Sequence, residues 1–137
     1  MTKLAIIGLV SIFTINVYPG FILNLYQYPI FGITLHFLGG FFVSMLLSSF
    51  YKNDLERLPR FLKIITIIGI TIAVGVLWEF TEYSANKLFS PIIYSKFGVH
   101  VFFMGDLDDT ITDLFMDTLG ALIFALHFIR RGNPKKF

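Results

Sequence analysis

The sequence predicts an all-α, polytopic membrane protein with four transmembrane helices in a small bundle. Of its 137 residues, 55% are hydrophobic and only 15% are charged, and the mean hydropathy is +0.75. A soluble domain of this size has no interior large enough to hide so much apolar surface. We therefore expect residues 1–137 to form a single transmembrane domain whose main partner is the lipid bilayer.

The first two apolar runs cover about 4–18 and 30–51. The first follows Lys3, as in a signal peptide, but it lacks the small residues that a signal peptidase needs, so we expect it to be retained as a span. A linker rich in Tyr, Asn and Pro then predicts an interfacial loop. In the second run, Gly40 and Ser44 predict a face that another helix can approach closely.

The third and fourth apolar runs cover about 64–83 and 110–129. Pro59 should interrupt the helix before the third run, and Gly69 with Ala73 predicts close packing within it. The connection at 90–105 is too polar to span. After it, the group at 108–110 (Asp, Asp, Thr) resembles a helix N-terminal cap, with its acids placed favourably against the helix dipole.

The distribution of basic residues predicts an orientation with both termini in the cytoplasm. Under the positive-inside rule, the connection at 52–63 and the tail after residue 129 should be cytoplasmic, and four spans then place Lys3 there too. Every acidic residue except Asp54 and Glu56 falls in the outward half. This pattern is typical of a multi-pass membrane protein.

An acidic cluster lies inside or at the outward edge of the third and fourth runs. Asp109, Asp113 and Asp117 are four residues apart, so in a helix they form one stripe. Ionisable groups within a membrane are costly and are a functional-site hypothesis by default. The predicted metal ligands are Asp106, Asp109, Asp113, Asp117, Glu79 and Glu82, with His36 and His100 as auxiliary residues.

The fixed outward cations are only Lys87 and Lys96. Neutralisation must therefore come from a bound cation, from protons on the carboxyls, or from water in an outward-open cavity. Oxygen ligands favour Mg²⁺, Ca²⁺ or Mn²⁺. Simpler interpretations stay open: Asp106, Asp108 and Asp109 could serve only as helix caps, and His36 could be a packing residue.

Composition excludes several classes of function. The chain has no cysteine, which rules out disulfides and thiolate chemistry. A formal net charge of +2 is too small to indicate nucleic-acid binding.

The segments WEFTEY at 78–83 and GDLDDTITDLFMDTLGA at 105–121 resemble the signature region of small bacterial inner-membrane proteins of the YjdF type, which are broadly similar to VanZ-like proteins. The matching residues are Gly105, Asp106, Asp109, Thr110, Asp113, Asp117, Gly120 and Ala121. The resemblance implies a membrane protein without a settled biochemical activity.

A weaker resemblance concerns the CDP-alcohol phosphotransferases, which hold divalent metals with aspartates. Gly105, Asp109 and Asp113 match the second half of that motif, whereas its first half is absent.

Three classes of function are consistent with the sequence. The first is a non-catalytic membrane protein whose carboxylates bind a divalent cation or protons. The second is an ion- or proton-coupled transporter, which at this size would have to form a homo-oligomer. The third is a metal-dependent enzyme acting on lipid head groups or lipid phosphates. It ranks last because no nucleophile, phosphate-binding Arg or Gly-rich loop accompanies the acids.

Overall fold

The computed structural model describes residues 1–18, 25 and 28–131, which form helices connected by short segments. The elements are α1 (Thr2–Ile15), α2 (Pro29–Phe50), α3 (Lys52–Arg57), α4 (Arg60–Leu88), α5 (Ser90–Phe97) and α6 (Leu107–Arg131). The all-helical class is therefore confirmed for the described residues. Most of the predicted loop before residue 29 and the tail after residue 131 lie outside them.

Within the part of the chain that the structure describes, three helices are long and apolar enough to cross a membrane. These are α2, α4 and α6. The helix α2 covers the predicted span 30–51 except for its last residue, and α4 and α6 contain all of the predicted spans 64–83 and 110–129. The helical run that begins with α1 is apolar but shorter, ending at Tyr18. A fourth crossing by the predicted span 4–18 stays a prediction.

Local sequence explains where the helices begin and end. Pro29 occupies the first turn of α2, where its missing N–H costs no hydrogen bond. Leu58 is extended because Pro59 follows it, which separates α3 from α4. Gly98 adopts a left-handed φ of 67° and ends α5. The cap of α6 is Asp106, two residues before the predicted group at 108–110, since its Oδ1 accepts the Asp109 N–H at 3.0 Å.

The most extensive helix contact joins α2 and α6, and glycines make it possible. A Cβ atom at Gly40 would overlap the backbone carbonyl of Asp117, and one at Gly120 would overlap the carbonyl oxygen of Phe37. The two backbones therefore touch directly. The predicted close-packing face at Gly40 and Ser44 is confirmed, because both residues are fully covered.

The prediction for α4 is wrong in its choice of face. Gly69 and Ala73 are exposed, and a Cβ at Gly69 would meet nothing within 4 Å. The buried face instead carries Thr71 and Gly75. The Thr71 hydroxyl pairs with that of Ser44 on α2 at 2.7 Å. Small residues occur on both faces of α4, so their spacing alone could not select the packed one.

The apolar core lies at the end of the bundle away from the acidic residues. It contains Ala5, Met45, Leu55, Ile67, Phe124 and Ala125. Large apolar side chains such as Phe61, Leu77 and Phe115 remain exposed on the outer surface. Exposed apolar surface of this extent is typical of a protein surrounded by lipid.

The glycine contact predicts opposite effects for two matched substitutions. Gly40→Ala should lower the free energy of unfolding by about 1–3 kcal/mol, because the added methyl group must push α2 and α6 apart. Gly69→Ala should leave stability unchanged or raise it by up to about 1 kcal/mol through helix propensity. Unfolding in mixed micelles, followed by circular dichroism, measures both. Equal stabilities for the two variants would contradict the contact.

Candidate metal centre

Three helices bring polar side chains together at one end of the bundle. His36 comes from α2, Glu79 from α4, and Asp113 with Asp117 from α6. The two aspartates are one helical turn apart and therefore share the buried face of α6. The residues Glu79, Asp113 and Asp117 are each only 6% exposed.

The His36 ring lies between the two aspartates. Its Nε2 is 3.4 Å from Asp113 Oδ2, and its Nδ1 is 3.5 Å from Asp117 Oδ2. A neutral imidazole has one N–H, so it can donate to only one of two charged carboxylates. Both contacts are favourable only when an extra proton or a bound cation joins the group.

Glu79 is buried without a hydrogen bond to one of its oxygens. Among the described residues, neither its Oε1 nor the buried hydroxyl oxygen of Thr110 makes a hydrogen bond of ordinary geometry, although the two side chains are close enough to interact. A charged carboxylate oxygen that loses its hydrogen bonds to water on burial, and gains none from the protein, destabilises the fold by several kcal/mol. Glu79 on α4 therefore has a carboxylate oxygen to which the described residues offer at most the Thr110 hydroxyl.

His36, Glu79 and Asp113 form a group of potential metal ligands. Each can offer one ligand atom such that all three atoms lie within 4.8 Å of one another. Atoms bound to one divalent ion lie roughly 3–4.5 Å apart, as ligand distances of about 2.0–2.3 Å require. Small side-chain movements would bring the three atoms onto one ion.

Gly75 makes the space that the Asp117 carboxylate occupies. A Cβ at Gly75 would lie 2.5 Å from Asp117 Oδ2, whereas one at Gly39 would be in ordinary contact with Asp117 Oδ1 at 3.7 Å. Gly75 is one turn before Glu79 on the same face of α4. The same stripe of α4 therefore supplies one carboxylate and makes room for another.

A cavity of about 370 Å³, which we call the acidic vestibule, adjoins the group. It is lined by Tyr28, Pro29, Gly32, His36, Glu82, Phe102, Phe103, Met104, Gly105, Asp106, Asp109 and Asp113. Glu82 accepts a hydrogen bond from Trp78 Nε1 at 2.8 Å. Of the predicted ligands, Glu82, Asp106, Asp109 and Asp113 thus line the vestibule, while Glu79 and Asp117 are not part of its lining.

His100 is placed differently. Its ring stacks on Tyr94 with the centroids 4.2 Å apart, and the residue is exposed. The described structure therefore gives His100 an aromatic partner rather than a place in the His36 group.

A comparison with protein-family models matches residues 1–133 to the family described as predicted membrane protein, DUF2238. The chain belongs to this family. The match agrees with the three long apolar helices and covers all of the residues discussed above. No curated protein and no solved structure matches the chain.

In this DUF2238 protein, two features of the site were missed from sequence. The sequence predicts His36 only as an auxiliary residue, yet it contacts both buried aspartates. It predicts no role for Gly75, and for Thr110 only a place in the cap of α6. One signal was available for His36, because its depth along α2 matches that of Asp113 and Asp117 along α6. No spacing rule identified Thr110 as the neighbour of Glu79.

Because the buried Glu79 carboxylate has an oxygen without an ordinary hydrogen bond to the described residues, we expect its replacement by glutamine to stabilise the protein. In the presence of a chelator, Glu79→Gln should raise the free energy of unfolding by about 1–3 kcal/mol, because it removes a buried acid without a full set of partners. Asp108→Asn, at an exposed position on α6, is the control and should have little effect. A lower stability of Glu79→Gln in chelator would mean that the carboxylate is already satisfied.

Proposed function

We propose that this protein is a multi-pass membrane protein that binds one divalent cation between α2, α4 and α6. The observation that carries the proposal is the buried Glu79 carboxylate, which forms a group with His36 and Asp113 and whose Oε1 makes no hydrogen bond of ordinary geometry with the described residues. An acidic cluster alone would be weak support. A buried carboxylate that lies within reach of two other potential ligands favours a cation.

The ligands in this proposal are His36 Nε2, Glu79 and Asp113. Asp117 then has a different role from the one predicted, because its Oδ2 faces the other ring nitrogen, His36 Nδ1. Metal-binding histidines commonly donate this second N–H to a carboxylate, which holds the ring and selects the tautomer. Asp117 is therefore proposed as a positioning residue for His36.

The ligand types also narrow the choice of ion. An imidazole with two carboxylates suits Mn²⁺ or Zn²⁺ better than Mg²⁺ or Ca²⁺, which prefer oxygen ligands. Among the ions predicted from sequence, Mn²⁺ fits best.

We rank a cation-dependent membrane protein or carrier above an enzyme. Among the described residues that line the vestibule there is no lysine, arginine or serine to bind a phosphate or attack a substrate. A cation shared by three helices would instead stabilise their arrangement. A homo-oligomer is part of the carrier alternative, since a single small bundle offers little room for a pathway.

The proposal also includes how the protein lies in the membrane. We infer four spans with both termini in the cytoplasm, in a bacterial-type inner membrane, which puts the acidic vestibule on the outward side. The resemblance to YjdF-type and VanZ-like proteins supports this placement without indicating a substrate.

Metal titration tests the cation site. Mn²⁺ or Zn²⁺ should raise the melting temperature of the purified protein, and Glu79→Gln or Asp113→Asn should abolish the shift. Asp117→Asn should keep the shift but weaken affinity about 10- to 100-fold, as expected when only the ring orientation is lost. Asp108→Asn is the matched control. If no divalent ion changes the melting temperature of the wild type, the group shares protons instead.

Cysteine labelling tests the orientation, because the native chain has no cysteine. Ser95→Cys, on exposed α5, should react with a membrane-impermeant maleimide added to intact cells. Asn53→Cys, on exposed α3, should react only after lysis. The reverse pattern would refute the proposed topology.

A further inference from the structure

A second cavity of about 310 Å³ lies on the far side of His36 from the acidic vestibule. We call it the chain groove. It lies between α1 and α4 over α2, and apolar residues such as Leu9, Phe13, Leu35, Val43 and Val74 line it. Phe13 and Val74 are partly exposed to the surroundings of the bundle, so the groove can be reached from the lipid side.

His36 lines both cavities, and the two cavities follow each other in the same order along α2, α4 and α6. The residues of α2 and of its N-cap that line the vestibule fall within 28–36, and those that line the groove fall within 35–43. Each stretch is about 12 Å long. On α4, Glu82 lines the vestibule and Thr71 the groove. On α6, Asp113 lines the vestibule and Asp117 the groove. A polar compartment thus lies directly above an apolar one.

This order matches that of an amphiphile, with a head group above a hydrocarbon chain. The charge of the vestibule indicates which head group fits. Its lining carries Glu82, Asp106, Asp109 and Asp113, and it contains no lysine or arginine among the described residues. Even with a divalent cation on Glu79 and Asp113, three of these carboxylates remain, so an anionic head would be repelled.

Aromatic rings add a second reason for a cationic head. Tyr28, Phe102 and Phe103 line the vestibule beside the carboxylates. Aromatic faces together with acids are the usual surroundings of bound ammonium groups. The groove supplies matching room for one alkyl chain, since its lining offers few polar atoms to water.

We propose that the acidic vestibule and the chain groove form one binding site for an amphiphile with an ammonium-type head and a single alkyl chain. The carboxylates and aromatic rings bind the head, and the chain lies along α2 between α1 and α4. The site adjoins the proposed cation site but does not require the ion, so the two proposals can fail separately.

Trp78 is the only tryptophan and it lines the chain groove, which provides a direct readout. The protein is placed in phosphatidylcholine nanodiscs, in EDTA and again with Mn²⁺. Dodecyltrimethylammonium with a bromine at the chain end is then titrated while quenching of Trp78 fluorescence is followed. We expect saturable quenching in both conditions. Brominated dodecyl phosphocholine and dodecyl sulfate should need about tenfold higher mole fractions.

Matched variants separate the two compartments. Asp109→Asn should raise the half-saturating mole fraction about three- to tenfold, whereas Asp108→Asn, outside the vestibule lining, should not change it. Gly39→Leu places a side chain in the groove and should abolish saturation. Gly69→Leu adds the same side chain where nothing lies within 4 Å and should retain it. If Gly39→Leu does not fold, Val43→Phe narrows the groove one turn further from the carboxylates.

Two results would overturn the proposal. Equal saturation by all three head groups would show a groove that any lipid fills, and preference for the sulfate would show an anion site. Saturable quenching that persists in the folded groove-filling variant would place the chain elsewhere.

Discussion

The direct contact between the backbones of α2 and α6 is the constraint on which the rest of the structure depends. Gly40 and Gly120 remove the side chains that would hold the helices apart, so each glycine lies against a carbonyl group of the opposite helix. This contact sets the register between the two helices. It thereby places Asp113 and Asp117 one on either side of the His36 ring.

Close packing of α2 against α6 assembles the site, but it also makes the charged carboxylates of the site costly. The same approach that covers Asp113 and Asp117 removes the water that would otherwise solvate them, and α4 adds Glu79 to the group. In a bundle with so few fixed cations nearby, assembly and charge neutralisation are coupled. A bound divalent cation or a shared proton would therefore stabilise the helix arrangement, and loss of it would loosen the acidic end first.

The two cavities give this end of the bundle a polarity along the helix axes. The acidic vestibule and the chain groove meet at His36, which contacts a carboxylate on each side. His36 therefore lies at the boundary between the two cavities, next to the proposed cation site.

The sequence alone determined that lipid surrounds the protein, where the three long spans lie, and that acidic residues fall within or beside them. Apolar runs of spanning length and charges inside them can be read directly from the order of the residues. The sequence also predicted the packing face at Gly40 and Ser44. Only the tertiary structure decided that Thr71 and Gly75, rather than Gly69 and Ala73, face the bundle, and that Glu79 lies with His36 and Asp113. The reason is physical: when lipid covers the outside, apolar residues occupy both faces of a helix, so periodicity no longer identifies the inner one. The relative rotation of the helices, and hence the site, is set by their mutual packing.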